Sequence, residues 1–263
     1  MPLGPRAETD DMNITGNTVF IPGATSGIGL ALAERLVAAG NTVIVGGRRQ
    51  ERLDEIARTH PGVDTVRIDT ADAASISEVT REVISRHPGL NTLIAMAGVM
   101  RVEDWREGSA VLATAEETVT TNVLGPLRLI AALLPHLQRQ QEATIMTVSS
   151  GLAFVPLRAT PTYNATKAAI HMFSESLRLQ LEGTSVAVVE LEPPSVATDL
   201  LPGQRESSFA MPLEEFADEV MAILREQPDA TEIQVERVGF LRHAEARGDY
   251  AETVRALNAA DPH

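Results

Sequence analysis

The sequence predicts one α/β domain over residues 14–263, with three layers built around a mainly parallel, doubly wound sheet of seven strands. Short apolar runs of strand type alternate with amphipathic helical segments along the chain. No internal boundary or repeat interrupts this alternation. The 263 residues, 44% of them hydrophobic, can supply one large core. Residues 1–13 are rich in proline, glycine and acidic side chains and predict a flexible tail.

The strands are predicted where apolar and β-branched residues run together between turn signals. They lie at residues 18–21, 42–45, 65–68, 92–96, 143–148, 185–191 and 232–235. The helices are predicted where apolar residues recur at helical spacing, often up to a glycine or proline. They lie at residues 30–39, in a polar segment through 58, and at 75–86, 115–140, 163–183, 212–226 and 240–258. Gly125-Pro126 is expected to bend the fourth helix, and Pro212 to occupy the first turn of the sixth.

Composition and charge exclude several classes of function. Without cysteine, the chain can have neither a disulfide framework, nor a thiol nucleophile, nor a cysteine-ligated zinc site. A net charge of −14 argues against a nucleic-acid partner, which requires a basic surface. We see neither an apolar run of membrane-spanning length nor a signal peptide, and therefore expect a cytoplasmic protein with no membrane partner. The six histidines show no paired spacing of metal ligands, so we expect no metal.

A glycine-rich turn from Pro22 to Gly29 joins the first strand to the first helix. Spaced glycines alone are a weak signal, but between a strand and a helix they let the backbone approach a pyrophosphate closely. The helix N-terminus then supplies oriented N–H groups and a favourable dipole. The predicted cofactor contacts at this turn are Gly23, Thr25, Ser26, Gly27, Ile28 and Gly29.

The end of the second strand bears on which dinucleotide is bound. An acidic residue about twenty residues past the glycine turn favours NAD, whereas arginine can pair with the additional phosphate of NADP. The chain has Arg48 and Arg49 there, which favours NADP, unless the two arginines merely open the polar helix that follows. Asp69 and Thr70 follow the third strand, and Asp69 either contacts the adenine or serves as a turn or capping residue.

Tyr163 and Lys167 are four residues apart and are predicted to share one helix face. A nearby ammonium favours the phenolate and lowers the pKa of a phenol from about 10 toward the range of an acid/base catalyst. Such pairs are also common on helix surfaces. Ser149 and Ser150 follow the fifth strand at its C-terminal end, where open α/β sheets bind ligands. Asn122, on an otherwise apolar helix, is either a satisfied interior amide or part of the site.

Together these motifs resemble the classical short-chain dehydrogenase/reductases over nearly the whole chain past the tail. The motifs that carry the resemblance are Gly23, Gly27 and Gly29, then Ala97-Gly98, Asn122, Ser149-Ser150, Tyr163-x-x-x-Lys167 and Pro193 to Thr198. Residues 149–156 are similar to the DltE-like oxidoreductase branch. The resemblance implies a Rossmann fold.

The resemblance also implies roles for individual residues. Tyr163 would donate the proton in reduction, and Lys167 would lower its pKa and bind the nicotinamide ribose. Ser150, thirteen residues before the tyrosine, would hydrogen-bond the substrate oxygen. Asn122 would support a water in the proton relay. Further cofactor contacts are implied at Ala97, Gly98, Pro193, Val196 and Thr198.

The chain departs from the family pattern beneath the cofactor. Pro22 stands where the family normally has threonine, and Ala95-Met96 where it has two asparagines. Both partners of one polar tie are therefore apolar here, and replacing both together can be nearly neutral. Pro194 replaces the usual glycine after the sixth strand and is expected to stiffen that turn.

We interpret the chain as an NADP(H)-dependent ketoreductase or alcohol dehydrogenase. Hydride would pass between the nicotinamide and a carbonyl or secondary alcohol of a small-molecule substrate. The alternative is a cofactor-binding redox sensor without catalysis, which the departures at Pro22 and Ala95-Met96 would suit. The loops at 99–108 and 199–212, the second a predicted mobile lid, are expected to determine the substrate. Trp105, in the first loop, either shapes the pocket or caps the domain edge.

The resemblance implies a homodimer or homotetramer. The helices bearing Asn122 and Tyr163 would form the contact between subunits. Apolar residues of the helix bearing Tyr163 would contribute to it. These residues are Ala168, Ala169, Met172 and Phe173. The alternative is that they face the sheet.

Overall fold

The computed structural model describes residues 14–259, so the predicted flexible tail lies outside the described residues. In this range the strands are β1 Thr18–Pro22, β2 Thr42–Gly47, β3 Val63–Arg67, β4 Thr92–Ile94, β5 Ala143–Val148, β6 Val186–Leu191 and β7 Glu232–Ile233. They form one parallel sheet in the order β3-β2-β1-β4-β5-β6-β7, which confirms the predicted fold. The strand order reverses between β1 and β4. Open α/β sheets bind their ligands beyond the carboxyl ends of the strands at such a point.

Helices cover both faces of the sheet. They are α1 Gly27–Ala38, α2 Gln50–Thr59, α3 Ala73–Arg86, α4 Leu112–Val119, α5 Gly125–Leu137, α6 Pro161–Leu181, α7 Leu213–Glu226, α8 Gly239–Arg242, α9 Ala244–Arg247 and α10 Tyr250–Ala259. Because side chains alternate along a strand, Val19 and Ile21 of β1 pack with α1, α2 and α7, whereas Phe20 packs with α3, α5 and α6. Two apolar layers thus hold the sheet in place.

Strand β4 ends at Ile94, two residues earlier than predicted. The neighbouring β1 contributes to the difference on one side of β4. The N–H of Gly23 donates to Gly46 of β2, so the preceding residue, Pro22, faces β4. Proline has no N–H to continue the ladder on that side. Met96 therefore lies in the turn beyond the strand.

The predicted helix at 115–140 is a longer and less regular run. A 3₁₀ segment at Trp105–Val111 leads into α4, and one π-helical turn at Thr120–Leu124 joins α4 to α5. The π turn thus interrupts the α-helix directly before Gly125-Pro126, the pair predicted to bend it. By length and composition alone the run Trp105–Leu137 could cross a membrane, and 44% of its most apolar window is buried inside the protein.

The C-terminal region also differs from the prediction of one helix at 240–258. The chain forms α8, α9 and α10 in succession, and Gly248 breaks the run with a positive φ of 79°. Pro212 precedes α7 instead of lying in its first turn. These short helices bring C-terminal side chains to the carboxyl end of the sheet.

Candidate active site

Tyr163 and Lys167 lie on the buried face of α6, so they are not a surface pair. Their exposed fractions are 6% and 7%. The Lys167 Nζ lies 5.4 Å from the centre of the Tyr163 ring and donates a hydrogen bond of 2.8 Å to the carbonyl of Val148, at the end of β5. Pro161 occupies the first turn of α6, where a missing N–H costs nothing. Strand and helix together hold the ammonium beside the phenol.

Burial controls the ionisation of this pair. It raises the pKa of Tyr163 to about 12, against the opposing effect of the nearby Ser150 hydroxyl. It lowers the pKa of Lys167 to about 8, and the charge of Glu190 opposes that shift. Among the protein's own groups, desolvation therefore outweighs the expected lowering of the phenol pKa by the ammonium. Tyr163 holds its proton at neutral pH, as a proton donor must.

The two serines at the end of β5 are both buried. Ser150 Oγ accepts a hydrogen bond of 3.1 Å from the N–H of Leu152 and donates one of 3.4 Å to the carbonyl of Pro193. The Gly151 N–H donates to the same carbonyl at 3.0 Å. The loop after β5 is thereby tied to the loop after β6, with Ser150 between them.

Asn122 lies in the π turn and is 1% exposed. Its Oδ1 accepts from the Val99 N–H at 2.8 Å, and its Nδ2 donates to the Val99 carbonyl at 2.9 Å and to Thr166 Oγ1 at 3.2 Å. The amide is thus satisfied inside the protein and joins the loop after β4 to α6. Its predicted part in a proton relay stays a prediction.

The glycine turn packs too closely against the protein's own backbone to carry side chains at two of its positions. A Cβ on Gly23 would lie 2.5 Å from Ala97 Cα, and one on Gly29 would lie 2.7 Å from Ala24 Cα, so both positions need glycine. The first turn of α1 carries no acidic residue, and Ser26 at its N-terminal end makes no side-chain capping hydrogen bond. The N–H groups at this helix end are open to an anion. These residues fit a dinucleotide.

Two adjoining cavities bring nearly all the predicted site residues together. The larger, about 860 Å³, is lined among others by Gly23, Ser26, Gly27, Ile28, Gly29, Arg48, Arg49, Gly98, Ser149, Ser150, Tyr163, Lys167, Pro193, Val196 and Thr198. The smaller, about 290 Å³, adds Thr25, Asp69, Thr70 and Ala97. Asn122 lines neither cavity.

Three arginines, Arg48, Arg49 and Arg67, lie at or near the smaller cavity. Arg49 Nη2 lies 3.3 Å from Thr25 Oγ1, and Arg67 Nε donates to the Arg48 carbonyl at 3.3 Å. Asp69 is both a turn residue and a lining residue, because its Oδ1 accepts at 3.0 Å from the N–H two residues on. Of these arginines, Arg48 and Arg49 line both cavities.

Glu103 lies outside both cavities but contacts the start of the helix that carries Tyr163, which the sequence did not reveal. Its Oε2 accepts from the Thr162 N–H at 3.1 Å, the Thr162 hydroxyl at 2.8 Å and the Trp105 indole at 3.0 Å. It caps the N-terminal end of α6, immediately before Tyr163, from a loop 59 residues away. Trp105 lines neither cavity and holds this carboxylate.

A cluster of ionisable groups lies behind the site. Atoms of His171, Glu190, Glu192 and Glu232 that could bind a metal all lie within 4.8 Å of one another. Arg242 is already among them, 3.3 Å from Glu192 and 3.2 Å from Glu232. Burial, together with the charges of Glu190 and Glu232, raises the pKa of Glu192 to about 8. The expectation of no metal stays a prediction.

Comparisons with known proteins identify the family of the chain. The family model described as short chain dehydrogenase matches residues 17–208. The uncharacterized oxidoreductase DltE of Bacillus subtilis is 39% identical over 254 residues, which cover 95% of this chain and 100% of that protein. The NADP-dependent 3-hydroxy acid dehydrogenase YdfG of Salmonella typhi is 31% identical over 188 residues, 66% of this chain and 71% of that protein.

A solved structure agrees as well. A short chain dehydrogenase from Burkholderia cenocepacia, crystallised with NADP, has a TM-score of 0.78 at 25% identity, covering 94% of this chain and 99% of that one. Fold, site and relatives lead to one conclusion: the chain belongs to the short-chain dehydrogenase/reductase family of oxidoreductases and resembles its DltE-like branch.

Proposed function

We propose that this protein is an NADP(H)-dependent carbonyl reductase, or alcohol dehydrogenase in the reverse direction. The observation that carries the proposal is that Tyr163, Lys167 and Ser150 line the same cavity as the glycine turn. Acid/base groups and a dinucleotide cradle thus share one space. Neither feature alone would indicate hydride chemistry.

In this proposal Ser150 and Tyr163 act on the carbonyl oxygen of the substrate, and Lys167 acts on the Tyr163 ring. Bound NADPH would supply the hydride to the carbonyl carbon. Ser150 would hold the oxygen by a hydrogen bond, and Tyr163, protonated at neutral pH, would give it a proton as negative charge develops. Lys167, held by the Val148 carbonyl, would stabilise the tyrosinate that is left.

The preference for NADP over NAD rests on the second strand. Arg48 and Arg49 follow β2, and both line the two cavities. Guanidinium groups pair well with phosphate, so the additional phosphate of NADP finds partners there. No acidic residue stands in this segment to bind the free ribose of NAD instead.

Steady-state assays with NADPH and a panel of aldehydes and ketones test the proposal. Tyr163→Phe should abolish turnover and leave NADPH binding nearly intact. Tyr250→Phe is the matched control, because Tyr250, the other tyrosine, is 41% exposed on α10 and lines neither cavity. A wild-type protein that binds NADPH but reduces no carbonyl would overturn the proposal and favour a non-catalytic redox sensor.

A further inference from the structure

The larger cavity continues from Tyr163 into a space formed by apolar side chains. Tyr163 packs in one cluster with Met100 and Leu201, and Leu152, Leu157 and Leu200 pack against that cluster. The apolar residues that line this part, which we call the apolar lobe, are Met100, Leu152, Leu157, Leu200, Leu201, Phe209, Leu241 and Leu257. They come from the loops after β4, β5 and β6 and from the C-terminal helices.

The charged residues that line the cavity from these segments already have partners. Arg101 donates to the Met100 carbonyl at 3.1 Å and lies 3.4 Å from Glu117. Asp199 is held by the guanidinium of Arg205, which holds its pKa below the usual range. Arg48 and Arg49 also line the cavity, but they follow β2 at the glycine-turn end. Lys167 lines it beside Tyr163, where its ammonium already donates to the Val148 carbonyl. Within the described lining, a carboxylate bound in the lobe would have to displace an existing partner.

We propose that the substrate is a neutral carbonyl compound with a sizeable apolar substituent, or the corresponding alcohol, and not a keto or hydroxy acid. This inference rests on the proposed function, because Tyr163 fixes where the carbonyl oxygen lies. The substituent extends from that point into the apolar lobe, where burial of each methylene is favourable. A carboxylate there would lose its hydration without gaining a free cation.

Matched substrate pairs test the inference. A 3-oxo ester and the corresponding 3-oxo acid differ in one charge, and a series of 2-alkanones differs only in chain length. We expect kcat/KM to be higher for the ester than for the acid. We also expect it to rise with chain length by up to about fourfold per methylene until the lobe is filled.

A positive charge placed in the apolar lobe should shift the substrate preference from the ester toward the acid. Leu157→Arg should raise kcat/KM for the acid relative to the ester by about tenfold. Leu213→Arg is the matched control, because Leu213 is also half-buried but lies on α7, outside the cavity. Calorimetric binding of the ester and the acid to Tyr163→Phe loaded with NADPH gives a readout that does not depend on turnover.

The outcomes separate the two proposals. If the wild-type protein uses or binds the acid as well as the ester, or shows no gain with chain length, the inference on substrate class is wrong and the proposed function stands. If NADPH binds and no carbonyl of either kind is reduced, the proposed function is wrong. If, in addition, the acid and the ester bind equally weakly to the NADPH-loaded protein, the inference on substrate class is wrong as well. The wild-type comparison decides the question even if Leu157→Arg fails to fold.

Discussion

Replacing Glu192 by glutamine should stabilise the protein in a pH-dependent way. The Glu192 side chain is fully buried, next to two other carboxylates, Glu190 and Glu232, and only partly balanced by Arg242. His171 completes the cluster from α6 and lies 3.0 Å from Glu190. Burial and the neighbouring charges raise the Glu192 pKa from 4.5 to about 8. The folded protein therefore keeps a proton that the unfolded chain releases.

The sign and size follow from proton linkage. Between about pH 4.5 and pH 8 the folded state binds more protons at Glu192 than the unfolded state, so this group's contribution to stability falls as the pH rises. One pKa unit corresponds to about 1.4 kcal/mol, so the penalty is about 4 kcal/mol at pH 8 and approaches about 5 kcal/mol above it. Glutamine has the same shape and does not titrate. Glu192→Gln should match wild type near pH 4.5 and exceed its free energy of unfolding increasingly toward pH 8.5.

Urea unfolding of both proteins at several pH values measures this difference. Glu245→Gln is the control, because Glu245 is exposed on α9 and its replacement should change little at any pH. A Glu192→Gln variant that is less stable than wild type at pH 8.5 would show that ionised Glu192 stabilises the folded state. A difference that does not vary with pH would show that folding does not raise the Glu192 pKa.

Three further predictions concern the site and the assembly. Glu103→Ala should lower kcat about tenfold with little change in KM for NADPH, because it removes the cap of α6. Glu103→Gln keeps an acceptor and should recover most of the rate. Equal losses of kcat in both variants would show that Glu103 does not position α6 for catalysis by hydrogen bonding. Arg49→Ala should raise KM for NADPH by about tenfold or more and leave KM for NADH nearly unchanged. A parallel rise in the two KM values would remove the basis for an NADP preference. We also predict a homodimer or homotetramer in light scattering, and Met172→Glu, at a side chain 60% exposed on α6, should reduce its size; a wild-type monomer would contradict this.

Local patterns in the sequence were sufficient for the fold and for most of the cavity lining. The boundaries of β5 agree with the prediction because its apolar run is bounded by polar residues on both sides. The glycine turn could be recognised because its packing requires glycine at particular positions, as the close approaches of Gly23 to Ala97 and of Gly29 to Ala24 show. Tyr163 and Lys167 are four residues apart, and helical geometry likewise predicts that they share one face.

Features that depend on a neighbouring element could not be predicted in this way. Pro22, on the strand beside β4, has no N–H to extend the ladder toward it, and the residues of β4 themselves do not indicate this. Glu103 lies far along the chain from the helix that it caps, and nothing in its local sequence indicates that contact. The apolar lobe was also missed, because Leu241 and Leu257 belong to a C-terminal region whose sequence predicts a single helix.

The exposure of the residues expected at the subunit contact shows the same limit. Ala168, Ala169 and Met172 are exposed, whereas Phe173 is half-buried and packs on the core. The alternative that all four face the sheet is therefore wrong for three of them. Helical periodicity alone could not distinguish these two faces, because α6 is apolar on more than one side.

A single-turnover experiment tests the central claim most directly. Wild type and Tyr163→Phe, each loaded with NADPH, are mixed with a neutral ketone, and the loss of NADPH is followed in the first turnover, which separates the chemical step from product release. The account predicts that the variant binds NADPH as wild type does and reacts about 10²- to 10⁴-fold more slowly, because the proton donor is gone. A first turnover at nearly the wild-type rate would show that another group donates the proton.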